Sequence, residues 1–213
     1  MRYKAILFDM DGTLLDTLTD MADAVNHILS VHGWPLRTTE EVRAFVGNGA
    51  RRLIERAVPP EVTGGDFETV LTEYRDWYQA HNCVATAPYP GIPALLAALA
   101  KAGIKTAVVS NKPDATTKTL AARFFPGLPA FGQRDDVPPK PAPDLVFRAL
   151  ETLGVDAADA IYVGDSEVDV ATARNAGLPL AAVSWGFRGR RALAETGAAV
   201  IVDTAAELLE VLR

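Results

Sequence analysis

The stretch Ala5-Ile6-Leu7-Phe8-Asp9-Met10-Asp11-Gly12-Thr13-Leu14-Leu15-Asp16-Thr17 decides how the rest of the chain is read. Its first four residues form a continuous apolar run, which predicts a strand buried on both faces of a parallel sheet. Two carboxylates follow, two residues apart, so an extended chain through Met10 would place both on one side. Gly12 permits a sharp exit from the strand end. Acids at the carboxyl end of a buried parallel strand lie where open α/β sheets bind ligands. An ordinary polar turn is the alternative, and it suits one Asp-Gly better than two acids, Gly-Thr and a third acid.

Working outward, four more apolar runs predict buried strands: Thr106–Val109, Ala160–Val163, Leu180–Val183 and Ala199–Val202. Helical periodicity lies between them. Ile92, Leu95, Leu96 and Leu99 share one face and stop at Gly103; Leu145, Val146, Ala149, Leu150 and Leu153 share another and stop at Gly154. Alternating strand and helix predicts an α/β core whose parallel sheet is covered on both faces. Residues 16–84 break the rhythm, with no strand signal and three or four amphipathic helices. Leu18, Met21, Ala22, Val25, Ile28 and Leu29 form one stripe, and Phe67, Val70, Leu71, Tyr74, Trp77, Tyr78 and His81 another. On that stripe His81 is expected to be a hydrogen-bonded, partly buried histidine. A helical cap domain over 16–84, inserted into a core made of 1–15 and 85–213, is the expected organisation.

The 213 residues, 49% hydrophobic and 23% charged, have the balance of a globular protein. A formal charge of −6 and a pI near 5.1 argue against a general nucleic-acid surface. Cys83 is the single cysteine, so no intrachain disulfide is possible. No signal-peptide pattern or membrane-length apolar run is evident, and a soluble cytoplasmic protein, monomeric or homodimeric, is expected.

Polar groups end several of these strands. Asp9 and Asp11 follow the first run, Ser110-Asn111-Lys112 the second, and Gly164-Asp165-Ser166 the third, with Asp169 four residues beyond Asp165. Parallel strands align their carboxyl ends, so these groups can converge, and Lys140 in the Pro-rich loop Pro138–Pro143 could reach the same rim. Two carboxylates ~4 Å apart repel by about 4 kcal/mol at an effective dielectric near 20. A divalent cation that prefers oxygen removes that cost, and Mg²⁺ suits few carboxylates plus phosphate and water. Carboxylates, a hydroxyl and a lysine together suit phosphoryl transfer through an aspartyl-phosphate better than acyl transfer or redox chemistry.

The ordered motifs DMDGTLLDT, VVSNK, PPKPAPD and GDSEVDVATARNAG resemble the four motifs of the haloacid dehalogenase (HAD) superfamily of phosphohydrolases. Within it the chain is most similar to phosphoglycolate phosphatases, through Phe45–Ala50 and Tyr89-Pro90-Gly91. The resemblance implies a Rossmann-like core with a helical cap, and a phosphatase acting on a small phosphorylated metabolite, 2-phosphoglycolate leading. It implies that Asp9 attacks phosphorus and that Asp11 serves as acid, then base. It further implies Mg²⁺ on the Asp9 carboxylate, the Asp11 carbonyl and Asp165, with Asp169 orienting metal waters or Lys140. Ser110 would bind phosphoryl oxygens, and Lys140 would neutralise the intermediate. Thr13 and Asn111 beside these groups, and Gly47, Asn48 and Arg51 in the cap, are candidate substrate-binding residues. For Arg51 a solvated helix arginine is the competing reading.

Dehalogenation has no use for a second acid at position 11 or for a metal ligand at 165. Phosphonatase chemistry needs a cap lysine, and no Lys occurs from Asp16 to Val84. A sugar phosphomutase or pyrophosphatase stays open, since both keep the four motifs. So does a phosphate-binding module without chemistry, although none of Asp9, Asp11, Lys140 and Asp165 is replaced.

Overall fold

The computed structural model describes residues 2–213, which fall into two compact units: 2–16 with Pro88–Arg213, and Thr17–Ala87. The first unit is built on a six-stranded sheet. Its strands are β1 (Ala5–Phe8), β4 (Lys105–Pro113), β5 (Ala130–Gln133), β6 (Ala160–Gly164), β7 (Leu180–Val183) and β8 (Ile201–Val202). They lie in the order β5-β4-β1-β6-β7-β8. Every pairing along it is parallel, with Phe8 opposite Val108 on one side and Val163 on the other. Burial on both faces explains the unbroken apolar runs, and all four residues of β1 are fully buried.

Helices α5 (Ile92–Lys101), α6 (Asp114–Phe124), α7 (Asp144–Leu153), α8 (Glu167–Ala176), α9 (Gly189–Glu195) and α10 (Ala205–Leu212) connect and cover the strands. The expected stop of α7 is met in detail: Gly154 takes the left-handed conformation, φ 60°, that a side chain would disfavour. The chain builds outward from β1 to β4 and β5, then returns to lay β6, β7 and β8 on the other side. That reversal opens a crevice at the carboxyl ends of β1 and β6.

Strand β5 is not among the strands expected from the sequence. Pro129 precedes it and Gly132 interrupts it, both of which read as loop signals. Gly132 is needed there because a Cβ would lie 2.5 Å from the Asp114 backbone and 2.7 Å from the Lys112 carbonyl oxygen.

The second unit holds four helices, α1 (Leu18–Val31), α2 (Thr39–Phe45), α3 (Gly49–Ala57) and α4 (Gly64–His81). Short strands β2 (Leu15–Asp16) and β3 (Ala87–Pro88), at the two chain crossings, pair with each other. The units part slightly later in the chain than the composition suggests, and Asp20 supplies the reason. Its buried carboxylate accepts the backbone N–H groups of Val84, Ala85 and Thr86 at 3.0, 2.8 and 2.9 Å, which ties that segment to α1. On α4, Phe67, Val70, Leu71, Tyr74 and Tyr78 are buried as expected. His81 is a correction: it is exposed, stacked on Trp77 with ring centroids 4.0 Å apart, and its Nδ1 lies 2.8 Å from the Trp77 carbonyl oxygen. Its hydrogen bond is as expected and its burial is not: by helical period it stays in line with the buried stripe, but it is the last residue of α4, at the helix end.

Candidate active site

Strand β1 delivers Asp9 to the crevice, held by its N–H donating to Val163 O of β6 at 2.9 Å. The Asp9 carboxylate is buried; its Oδ1 accepts the Met10 N–H at 2.7 Å and lies 2.9 Å from Lys140 Nζ. Both contacts fall on Oδ1. Gly12 (φ 83°) then turns the chain, and Gly12 N–H donates to Leu15 O at 2.9 Å. The same glycine leaves room for Asp165, whose Oδ2 would lie 2.4 Å from a Cβ at position 12.

Strand β6 delivers Asp165, and α8 begins directly after it. Ser166 caps α8 with Asp169 in a reciprocal capping box. Asp169 is fully buried and fully engaged. Its Oδ2 accepts the Asp165 N–H (3.2 Å), the Ser166 N–H (3.1 Å) and the Ser166 hydroxyl (2.6 Å), while Oδ1 pairs with Lys140 Nζ at 2.8 Å. Lys140 also donates to the Tyr162 hydroxyl at 3.0 Å, which itself donates to Val109 O at 3.1 Å. A solvated loop lysine is therefore excluded at position 140.

Strand β4 delivers Ser110, Asn111 and Lys112, all buried. The Ser110 hydroxyl accepts the Lys112 N–H at 3.2 Å and does not cap α6, which starts at Asp114. Asn111, expected to bind substrate, has its carboxamide on the Lys140 main chain: Oδ1 accepts Lys140 N–H at 2.7 Å and Nδ2 donates to Lys140 O at 3.0 Å. This clamp fixes the lysine loop on β4. Thr13, also a candidate substrate contact, points its hydroxyl at Asp165 Oδ1, 3.2 Å away.

Three contributors lie outside the site residues expected from the sequence, where Trp185–Arg188, after a predicted strand, reads as a structural loop rather than a lining of the rim. Lys112 Nζ lies 3.2 Å from Asp11 Oδ1. Tyr162 reads there as a strand residue only, yet its hydroxyl orients Lys140. The loop Trp185–Arg188 proves to be part of the site: Phe187 N–H donates to Asp165 Oδ2 at 2.7 Å and Trp185 Nε1 to Thr13 O at 3.1 Å. The signal for Lys112 was present, as the last letter of the VVSNK motif.

Gly47, Asn48 and Arg51 belong to the helical unit. Gly47 (φ 113°) and Asn48 form the turn into α3, and Asn48 Oδ1 accepts Arg56 Nη2 at 3.1 Å. Arg51 forks onto Glu68 at 2.9 and 2.8 Å and lies over the Phe67 ring at 5.3 Å. Its guanidinium is thus already paired within its own unit.

Four acids face two lysines in the core site, Asp9, Asp11, Asp165 and Asp169 against Lys112 and Lys140. Burial first, and like charge second, shift two of these acids, Asp9 and Asp165. Burial, then the Asp169 charge, pushes Asp9 up to about 7, with Lys140 pulling the other way. Burial, Asp169 and Asp9 hold Asp165 well above the carboxylate range. For Lys140 burial disfavours the charge, but Asp169 and Asp9 outweigh it and raise the lysine well above its ordinary value. Carboxylate oxygens of Asp9, Asp165 and Asp169 lie within 4.8 Å of one another, a spacing and a charge that fit one hard divalent cation.

The family model for haloacid dehalogenase-like hydrolases matches residues 6–183. The chain is 37% identical over 221 positions to the N-acetylmuramic acid 6-phosphate phosphatase of Pseudomonas aeruginosa, covering 100% of this chain and 96% of that protein. It is 35% identical over 217 positions to the phosphoglycolate phosphatase of Pseudomonas savastanoi pv. phaseolicola, covering 97% and 78% respectively. A solved structure from Lactobacillus delbrueckii subsp. bulgaricus, assigned provisionally as a phosphoglycolate phosphatase, matches with a TM-score of 0.94 at 37% identity, covering 100% and 99%. The chain belongs to the haloacid dehalogenase-like hydrolases, and among them it stands with the phosphatases.

Proposed function

We propose that this phosphatase hydrolyses a small alkyl phosphomonoester in a Mg²⁺-dependent reaction through an aspartyl-phosphate on Asp9, with 2-phosphoglycolate the leading substrate and the cytoplasm its place of work. The observation that carries this reading is the convergence of Asp9, Lys140 and Asp165 where β1 and β6 diverge in the chain order. Asp9 offers a carboxylate oxygen to phosphorus while Lys140 balances charge beside it. Asp11 gives a proton to the departing alkoxide and later takes one from the attacking water. Ser110 and the adjacent backbone bind phosphoryl oxygens. Asp169 and Tyr162 keep the Lys140 ammonium in place through direct hydrogen bonds. The Asp9 and Asp165 carboxylates and the Asp11 carbonyl would hold Mg²⁺, which supplies charge neutralisation at the phosphoryl oxygens.

A second substrate, N-acetylmuramic acid 6-phosphate, is favoured by one specific observation. The relative named for it matches this chain over nearly its full length, whereas the chain covers 78% of the phosphoglycolate phosphatase from Pseudomonas savastanoi. Both esters carry a carboxylate and an alkyl leaving group. The test is a panel ranked by kcat/KM with Mg²⁺: these two esters, hexose phosphates, nucleotides and pyrophosphate. Preference for 2-phosphoglycolate supports the leading reading, and preference for the amino sugar replaces its substrate. Phosphate binding with no turnover of any ester would reject the mechanism.

A further inference from the structure

Lys112 is the charged side chain of the core site that the phosphoryl-transfer scheme leaves without a task. It is the penultimate residue of β4, two residues past Ser110, yet its ammonium lies against a different acid from Lys140, 3.2 Å from Asp11 Oδ1. The lysine side chain is 3% exposed and the Asp11 side chain 20% exposed, so the ammonium is enclosed while the acid stays partly open. Enclosing an ammonium costs several kcal/mol unless the geometry repays it.

The anchor of this lysine is also fixed from three directions. Its N–H donates to the Ser110 hydroxyl at 3.2 Å, and its carbonyl accepts the Thr117 hydroxyl of α6 at 3.1 Å. Gly132 brings β5 so close that any Cβ would meet the Lys112 carbonyl at 2.7 Å. The reach from β4 to Asp11 is therefore set by packed backbone. Asp11, by contrast, stands on the turn just before Gly12, with the lysine on its carboxylate.

We propose that Lys112 is a positioning residue for Asp11, holding its carboxyl group where it exchanges a proton with the ester oxygen and then with water. The inference rests on the acid–base role given to Asp11 above. In the first step the bond from Asp9 oxygen to phosphorus forms as the bond to the ester oxygen breaks, and the Asp11 proton goes to that oxygen. In the second, water oxygen bonds to phosphorus as the Asp9 acyl phosphate breaks, and Asp11 recovers a proton from the water. Lys112 takes no part in either bond change and faces the Asp11 carboxyl group through both steps. The two lysines thus divide the acids, Lys140 serving the nucleophile and Lys112 the proton carrier.

The test compares kcat/KM for the best alkyl ester of the panel with that for p-nitrophenyl phosphate, whose phenolate leaves without a proton. Because kcat/KM reports only as far as formation of the phosphoenzyme, the ratio isolates the proton delivery. Lys112→Met should lower the alkyl value about ten- to a hundredfold and the aryl value less than about threefold, with Lys112→Arg restoring most of the loss. Added to Asp11→Asn, Lys112→Met should cost less than about threefold more, because the two act as one unit. Equal losses on both esters, no loss, or a change confined to KM would overturn the proposal. Should Lys112→Met fail to fold by circular dichroism, Lys112→Gln decides by the same ratio. Asp11→Asn separates the two levels: without a selective alkyl loss there, the acid role fails first; with one, only the part given to Lys112 is at stake.

Discussion

At the scale of single residues, the site works by denying carboxylates their ordinary surroundings. The proposed attack needs Asp9 ionised, yet burial and the Asp169 charge raise it to about 7. Asp9→Asn removes the attacking oxygen in a near-isostere, so turnover should fall at least about a thousandfold while the melting temperature holds or rises. Residual hydrolysis near wild type would show that another group attacks phosphorus. The same shift has a sign that can be measured. An acid whose folded value lies above its unfolded value binds protons more readily in the native state, so between about pH 4 and pH 7 this group's contribution to stability falls as pH rises. Mg²⁺ competes with those protons, and the thermal shift on adding it should grow from pH 5.5 to pH 7.5. A shift that shrank with pH over that range would contradict the carboxylate assignment.

At the scale of elements, the helical unit is closed on itself by α1. One buried carboxylate, Asp20, satisfies three backbone N–H groups of residues 84–86. Asp20→Ala strands those donors and should cost about 2–4 kcal/mol, read from urea unfolding. A loss under about 1 kcal/mol would mean that water replaces the carboxylate freely. The same segment buries the Thr86 hydroxyl with no hydrogen-bond partner among the described residues. Thr86→Val keeps the shape and the N–H bond to Asp20, so it should gain about 1 kcal/mol. Nothing in the sequence marks Asp20 among the other acids, because its three partners lie more than sixty residues away. The stripe on α1 was legible, since apolar period is local; the clamp was not.

At the scale of the whole molecule, the core site is assembled from four distant stretches: 9–13, 110–112, 140 and 162–169, with the loop at 185–188 closing on Asp165. Gly186 belongs to this assembly because a Cβ there would lie 2.3 Å from Asp165 Cβ and 2.4 Å from Gly12 O. Gly186→Ala should therefore displace Asp165 and weaken Mg²⁺ binding at least about tenfold, measured by calorimetry, with matching loss of kcat. Unchanged affinity would place the metal away from Asp165. No described helix is long and apolar enough to cross a membrane.

The α/β core and the strand ends that carry Asp9, Ser110 and Asp165 were legible in the sequence, because burial period and turn residues are written locally. The sequence also held the family motifs whole. Tertiary packing alone set which lysine pairs with which acid, that Asn111 and Tyr162 hold Lys140, that Arg51 forks onto Glu68, and that Gly132 lies in a strand. Those outcomes depend on which strands become neighbours and how closely backbones approach. Distances between groups a hundred residues apart arise from packing, and no local pattern encodes them.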